Sequence, residues 1–140
     1  MLTKAIFAVV LFVLSLAAHA EVTSETFCFS SGGAKSVNFE MRTYYDSSSK
    51  FSSGFVKYQT AKQPIPLVLA NSAGETIDKN APDQESTTWI EVFNGQVTGE
   101  YEMVTQGTGV SSMAYTSKKI NPKIGFLLNT GAMAQGGCKW

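Results

Sequence analysis

Three carboxylates, Glu91, Glu100 and Glu102, lie in a segment from Thr87 to Thr105 that alternates apolar and polar residues around the dipeptide Asn94-Gly95. Glycoside hydrolysis needs only two acids at a defined separation, one to protonate the leaving oxygen and one to act as nucleophile or base. Glu100 and Glu102 fall on one face of a strand, and a hairpin at Asn94-Gly95 could bring Glu91 opposite them, so the trio is a candidate site for a carboxylate-dependent glycan hydrolase. The same alternation also gives them a plainer place, with Tyr101 and Met103 entering the core and the glutamates meeting water. The plainer assignment is the stronger, because a chain this small leaves little room for a substrate cleft.

Other catalytic chemistry has less footing. Lys4, the apolar run from Ala5 to Ala18 and the small-x-small site Ala18-His19-Ala20 form a secretory signal peptide, so residues 1–20 are expected to be removed and residues 21–140 to form one domain. That removes His19, the single histidine. Ser-His-Asp and Cys-His catalysis and histidine-bearing zinc sites are thereby excluded. No phosphate-cradling glycine motif is present, and the stretch from Asp78-Lys79-Asn80 to Asp83 and Glu85 lacks the alternating acids of a calcium loop. No cofactor or metal is expected.

In an exported chain Cys28 and Cys138 are the one available pair. The bond would close a loop of about 110 residues, which the chain-entropy model values at about 4 to 5 kcal/mol. The signal's apolar run is too short for a bilayer span, and Glu21 offers no lipid acceptor, so no membrane anchor is expected. No Asn-x-Ser/Thr sequon occurs, which favours a bacterial periplasmic or secreted protein.

The elements that must position these residues read as strands. Ser36 to Tyr45 alternates cleanly, with Val37, Phe39, Met41, Thr43 and Tyr45 on one face. Thr26–Ser30, Gly54–Thr60, Val110–Thr116 and Ile124–Asn129 follow the same logic, separated by Ser, Gly and Asp turns. Pro66 removes one ladder donor and marks Ile65–Ala70 as an edge strand, and Ser72 to Ser86 reads as a long polar loop suited to binding. Asn-Gly is the preferred pair for a two-residue type I′ turn, so Thr87–Phe93 and Gln96–Thr105 form a hairpin. The sum is an all-β single domain of about eight antiparallel strands in a meander, as a small barrel or a sandwich, with its ends tied by the disulfide.

Charge is unevenly placed along the chain. From Glu75 to Glu102 seven acids (Glu75, Asp78, Asp83, Glu85, Glu91, Glu100 and Glu102) face Lys79 alone, a local charge of −6, while four lysines and no acid follow Met103. Loss of Lys4 leaves ten cations against eleven acids, a net of −1 that hides this asymmetry. The seven acids form a candidate face for a cationic protein partner, unless adjacent strands bring the two blocks together and neutralise them. Nucleic acid is not an expected partner, since the aromatics alternate into core positions instead of interleaving with the lysines.

In size, export signal and all-β character the chain is similar to small periplasmic proteins that inhibit lysozymes or neutralise toxins directed at the cell wall. Ser52-Ser53-Gly54, followed by Lys57-Tyr58, is similar to the serine-glycine loops such inhibitors insert into lysozyme active sites. The resemblance implies a non-enzymatic exported protein that binds another protein, as an inhibitor or immunity factor. The aromatics Phe39, Phe55, Tyr58, Trp89, Tyr101, Tyr115 and Phe126 support the alternative of a small β-barrel that takes an apolar or sugar ligand.

Overall fold

The computed structural model describes residues 21–120 and 122–140. The expected signal peptide lies outside the described residues. Eight strands follow one another in sequence: β1 Val22–Ser30, β2 Asn38–Asp46, β3 Phe51–Tyr58, β4 Ile65–Glu75, β5 Gln84–Phe93, β6 Gln96–Gln106, β7 Gly109–Ser117 and β8 Ile124–Leu128. Each pairs antiparallel with the next, and β8 returns to β1 at Phe29↔Leu128 and Ser30↔Leu127. That closure makes the meander a barrel, which the alternation of the strands alone leaves open between barrel and sandwich.

Period-2 alternation sends one side chain in two to the barrel axis. Phe29, Phe39, Met41, Val56, Leu67, Trp89, Tyr101, Met103, Met113 and Phe126 are buried together there. The turn at Asn94-Gly95 has the two positive φ angles, 50° and 74°, that a type I′ hairpin requires. Gly99 faces the Tyr115 ring, and a Cβ at that position would overlap it. This is a place where the fold needs a residue without a side chain.

Two segments differ from their sequence reading. Ile65–Ala70 is not an edge, because β4 pairs with β3 on one side and β5 on the other, and Pro66 sits near its start opposite Phe55. The polar stretch Ser72–Ser86 is strand at both ends: β4 continues to Glu75 and β5 begins at Gln84, leaving a shorter connection of residues 76–83. The register shifts between Leu69 and Asn71, so the inward series passes from Leu67 and Leu69 to Ser72. An extra residue at a bulge breaks the period that identifies a strand.

Cys28 points outward between the inward Phe27 and Phe29, yet it is fully buried because the chain's end covers it. After β8 a 3₁₀ turn at Thr130–Ala132 leads into two short strands, β9 Met133–Ala134 and β10 Gly137–Cys138. Cys138 is bonded to Cys28, its N–H donates to Glu40 Oε2 at 2.9 Å, and Arg42 Nη2 donates to the Gly136 carbonyl at 3.1 Å. Glu40 and Arg42 are themselves paired at 2.7 Å. Trp140 borders a recess of about 110 Å³ next to Cys138, whose other walls are mostly polar: Glu40, Lys57, Tyr58 and Gln59.

Candidate functional site

The two ends of the barrel are built differently. At one end, which we call closed, lie the Asn94-Gly95 turn and the connections β1–β2, β3–β4 and β7–β8. At the other, the open end, lie the start of β1 and the connections β2–β3, β4–β5 and β6–β7.

The closed end holds a carboxylate in its interior. Glu91 is inward on β5, with only 5 % of its surface exposed. Its carboxylate accepts hydrogen bonds from Thr98 Oγ1 at 2.7 Å, Tyr101 Oη at 2.8 Å and Tyr115 Oη at 3.2 Å. The hydroxyls of Tyr58 and Tyr101 lie 2.6 Å apart, and since Tyr101 gives its proton to Glu91, Tyr58 donates to Tyr101. Thr98 can reach the carboxylate because of a second bulge: Glu91 pairs with Gly99 and Val92 with Val97, which leaves Thr98 as the extra residue. Three hydroxyl donors thus satisfy this buried carboxylate with no cation bonded to it. Burial raises the pKa of Tyr58, Tyr101 and Tyr115, and the neighbouring carboxylate adds to the effect; Tyr115 reaches about 12.

This placement separates the acids that the sequence groups together. Glu91 is inside the barrel, whereas Glu100 and Glu102 point outward from β6, so the three do not share one surface and cannot flank one substrate. Outside, Glu100 Oε2 lies 3.4 Å from Lys118 Nζ, and Glu102 is paired with Lys123. The acidic face of β6 and the basic β7–β8 connection neutralise each other where strand pairing brings them together.

The remaining four acids gather at the open end. Glu75 ends β4 and Glu85 lies near the start of β5, while Asp78 and Asp83 occupy the connection between them. Ser72 Oγ donates to Glu85 at 2.8 Å, Thr76 Oγ1 donates to Asp83 at 2.7 Å, and Asp78 accepts the Asn80 N–H at 2.9 Å. Gln106 Nε2 donates to the Pro82 carbonyl at 3.0 Å, tying this connection to the end of β6. On the β2–β3 turn Asp46 accepts from Ser48 and Ser49, which lowers its pKa to about 2.

A cavity of about 590 Å³ enters the barrel between these connections. Its inner end is apolar, formed by Phe27, Leu69, Trp89 and Met103, all of which belong to the core or pack against it. Its walls carry hydroxyls from Thr23, Thr43, Ser52, Ser72, Thr87 and Thr105, and three charged side chains, Glu25, Glu85 and Lys50, also line it. The indole Nε1 of Trp89 is buried and donates to nothing, which leaves one hydrogen bond unmade where a buried donor normally has a partner. The cavity exists because the inward positions shrink and become polar toward this end, and because β1 from Val22 to Phe27 pairs only with β2, β8 being too short to cover its other side. A fully walled eight-stranded barrel has an interior just wide enough for its own side chains.

No protein-family model, curated protein or solved structure matches this chain. What the site can do therefore rests on its own geometry. Among the described residues no group of three or more metal-ligating side chains comes together, and no helix is long and apolar enough to cross a membrane. Of the seven aromatics that support a ligand-binding barrel in the sequence, Trp89 lines this cavity, while Phe39, Tyr58, Tyr101, Tyr115 and Phe126 fill or pack against the core and Phe55 alternates with the buried Val56. The cavity's signal is the change of residue type along each inward series: Phe39, Met41, Thr43 on β2, Tyr101, Met103, Thr105 on β6, and Trp89, Thr87, Glu85 on β5.

Proposed function

We propose that this chain is an exported, non-enzymatic binding protein that takes a small amphipathic ligand into the open end of its barrel. One observation carries the reading: a cavity of about 590 Å³ whose inner end is apolar and whose walls are lined with hydroxyls and carboxylates. Binding sites for small molecules have this make-up, a mostly apolar pocket with a few placed polar groups. The disulfide supports an oxidising compartment. A cationic protein partner is the second reading, favoured by Glu75, Asp78 and Asp83, which are exposed at the same end.

The test is uptake of an uncharged, environment-sensitive dye, N-phenylnaphthylamine, by the disulfide-intact mature chain. Saturable one-to-one binding with a blue-shifted emission is expected. Thr87→Phe places a ring in the cavity and should weaken binding at least tenfold while the unfolding midpoint stays close to the parent's. No saturable uptake, or equal uptake by the blocked variant, would overturn the reading.

A further inference from the structure

The fold sorts charge by barrel end in a way the sequence order hides. Seven acids (Glu21, Glu25, Asp46, Glu75, Asp78, Asp83 and Glu85) lie on the connections and strand ends around the opening, against Lys50 and Lys79. The connections of the closed end carry Lys35, Lys62, Lys118, Lys119 and Lys123 and no acid. The open end thus holds a local charge of −5, while at the closed end Glu100 and Glu102 pair with Lys118 and Lys123 and leave +3. Charge of one sign around a concave opening focuses the field there and raises the local concentration of ions of the other sign.

Resting on the ligand-binding reading above, we infer that the ligand is a cationic amphiphile: an ammonium or guanidinium group at the rim and an apolar stem at the inner end. Each part answers a feature of the cavity. Glu25 and Glu85 outnumber Lys50 among the charged groups that line it, and the surrounding rim adds to their sign. Phe27, Leu69 and Met103 receive the stem. A free amine and a lysine or arginine side chain offer the same head and stem.

A matched series tests this: n-octylamine, n-octanol and octanoate share one stem and differ in charge. At low salt octylamine should bind about tenfold tighter than octanol, on the scale of one charge-assisted hydrogen bond, with octanoate weakest. The preference should fall as salt rises and should largely vanish in Glu25→Gln/Glu85→Gln, whose fold is checked by thermal melting. Equal binding of the three, or octanoate binding best, would overturn the inference while leaving the ligand-binding reading intact. If none of the three binds, both fail. A lysine-containing heptapeptide that binds tighter than octylamine, and is abolished by Nε-acetylation, would identify a side chain as the source, and the reverse order a free amine.

Discussion

The closed and open ends of this barrel are built from the same eight strands and the same alternation, yet one is filled and the other is not. At the closed end large aromatics meet across the axis, and the one buried carboxylate, Glu91, finds hydroxyl donors in Thr98, Tyr101 and Tyr115. At the open end the same inward rows carry Thr, Ser and Glu, the β8 side of β1 is uncovered, and a buried indole N–H lacks an acceptor. Satisfied polar networks rigidify a core, while unfilled volume with an apolar inner end and placed polar groups marks where something else fits. Stability should reside at one end and binding at the other.

The largest effect should come from the strap that fastens the chain's end to the outside of β1. Cys28→Ala/Cys138→Ala removes the cross-link and should cost about 4 to 5 kcal/mol by chain entropy, read as a fall in the urea midpoint. Dye binding at the open end should persist in the fraction that remains folded. A cost under about 1 kcal/mol would mean that Glu40 and Arg42 hold the tail without the bond.

Next comes Glu91. Glu91→Ala leaves buried hydroxyls of Thr98, Tyr101 and Tyr115 without their acceptor and opens a cavity, and should cost about 3 kcal/mol or more in chemical denaturation. Glu91→Gln keeps an acceptor oxygen and should cost roughly half as much. Octylamine affinity in either variant, measured where it is folded, should match the parent's; a large loss would mean that the two ends are not separable.

Alkaline titration probes the same network more gently. The tyrosine pKa values are raised in the folded state above their ordinary value of 10, so the folded chain holds its protons to higher pH than the unfolded one. Their contribution is fully present below pH 10 and is lost as pH rises through the folded value, which for Tyr115 is about 12. Tyr115 is half-buried, so solvent screens part of its share. Tyrosinate absorbance from the network should therefore rise only at strongly alkaline pH, coinciding with loss of the circular dichroism signal. A single step well before unfolding would show that the network does not protect its hydroxyls.

The smallest effect on stability should come from the open end. Glu25→Gln and Glu85→Gln should each change stability by no more than about 0.5 kcal/mol, since both are exposed and neither has a cation bonded to it. That near-silence in unfolding, set beside a loss of amine binding, is the sharpest form of the contrast between the ends.

Much of this was legible before folding was considered. Alternation placed Phe39, Met41, Thr43, Tyr101 and Met103 on inward faces, and Asn94-Gly95 marked its hairpin, because both depend on residues close in sequence. The length of β4 was not legible, since the bulge after Leu69 shifts its period and its outer half is Asn, Ser and Ala. Glu91 was misplaced because both faces of β5 are partly apolar: Trp89 and Glu91 share a parity, but so do Ile90 and Val92, and only pairing on both sides selects the inner row.

The sequence by itself determined the β class, the turns, the order of strands and the available disulfide, all of which follow from local geometry or from there being only two cysteines. Tertiary structure decided what depends on closure. It made a barrel by joining β8 to β1, took Glu91 out of the acidic run and into the core, and set Lys118 and Lys123 against Glu100 and Glu102. It also gathered acids from four separate stretches, 21–25, 46, 75–78 and 83–85, around one opening. The physical reason is that an antiparallel meander sends every second connection to the same end, so residues far apart in the chain become neighbours only once the strands are paired.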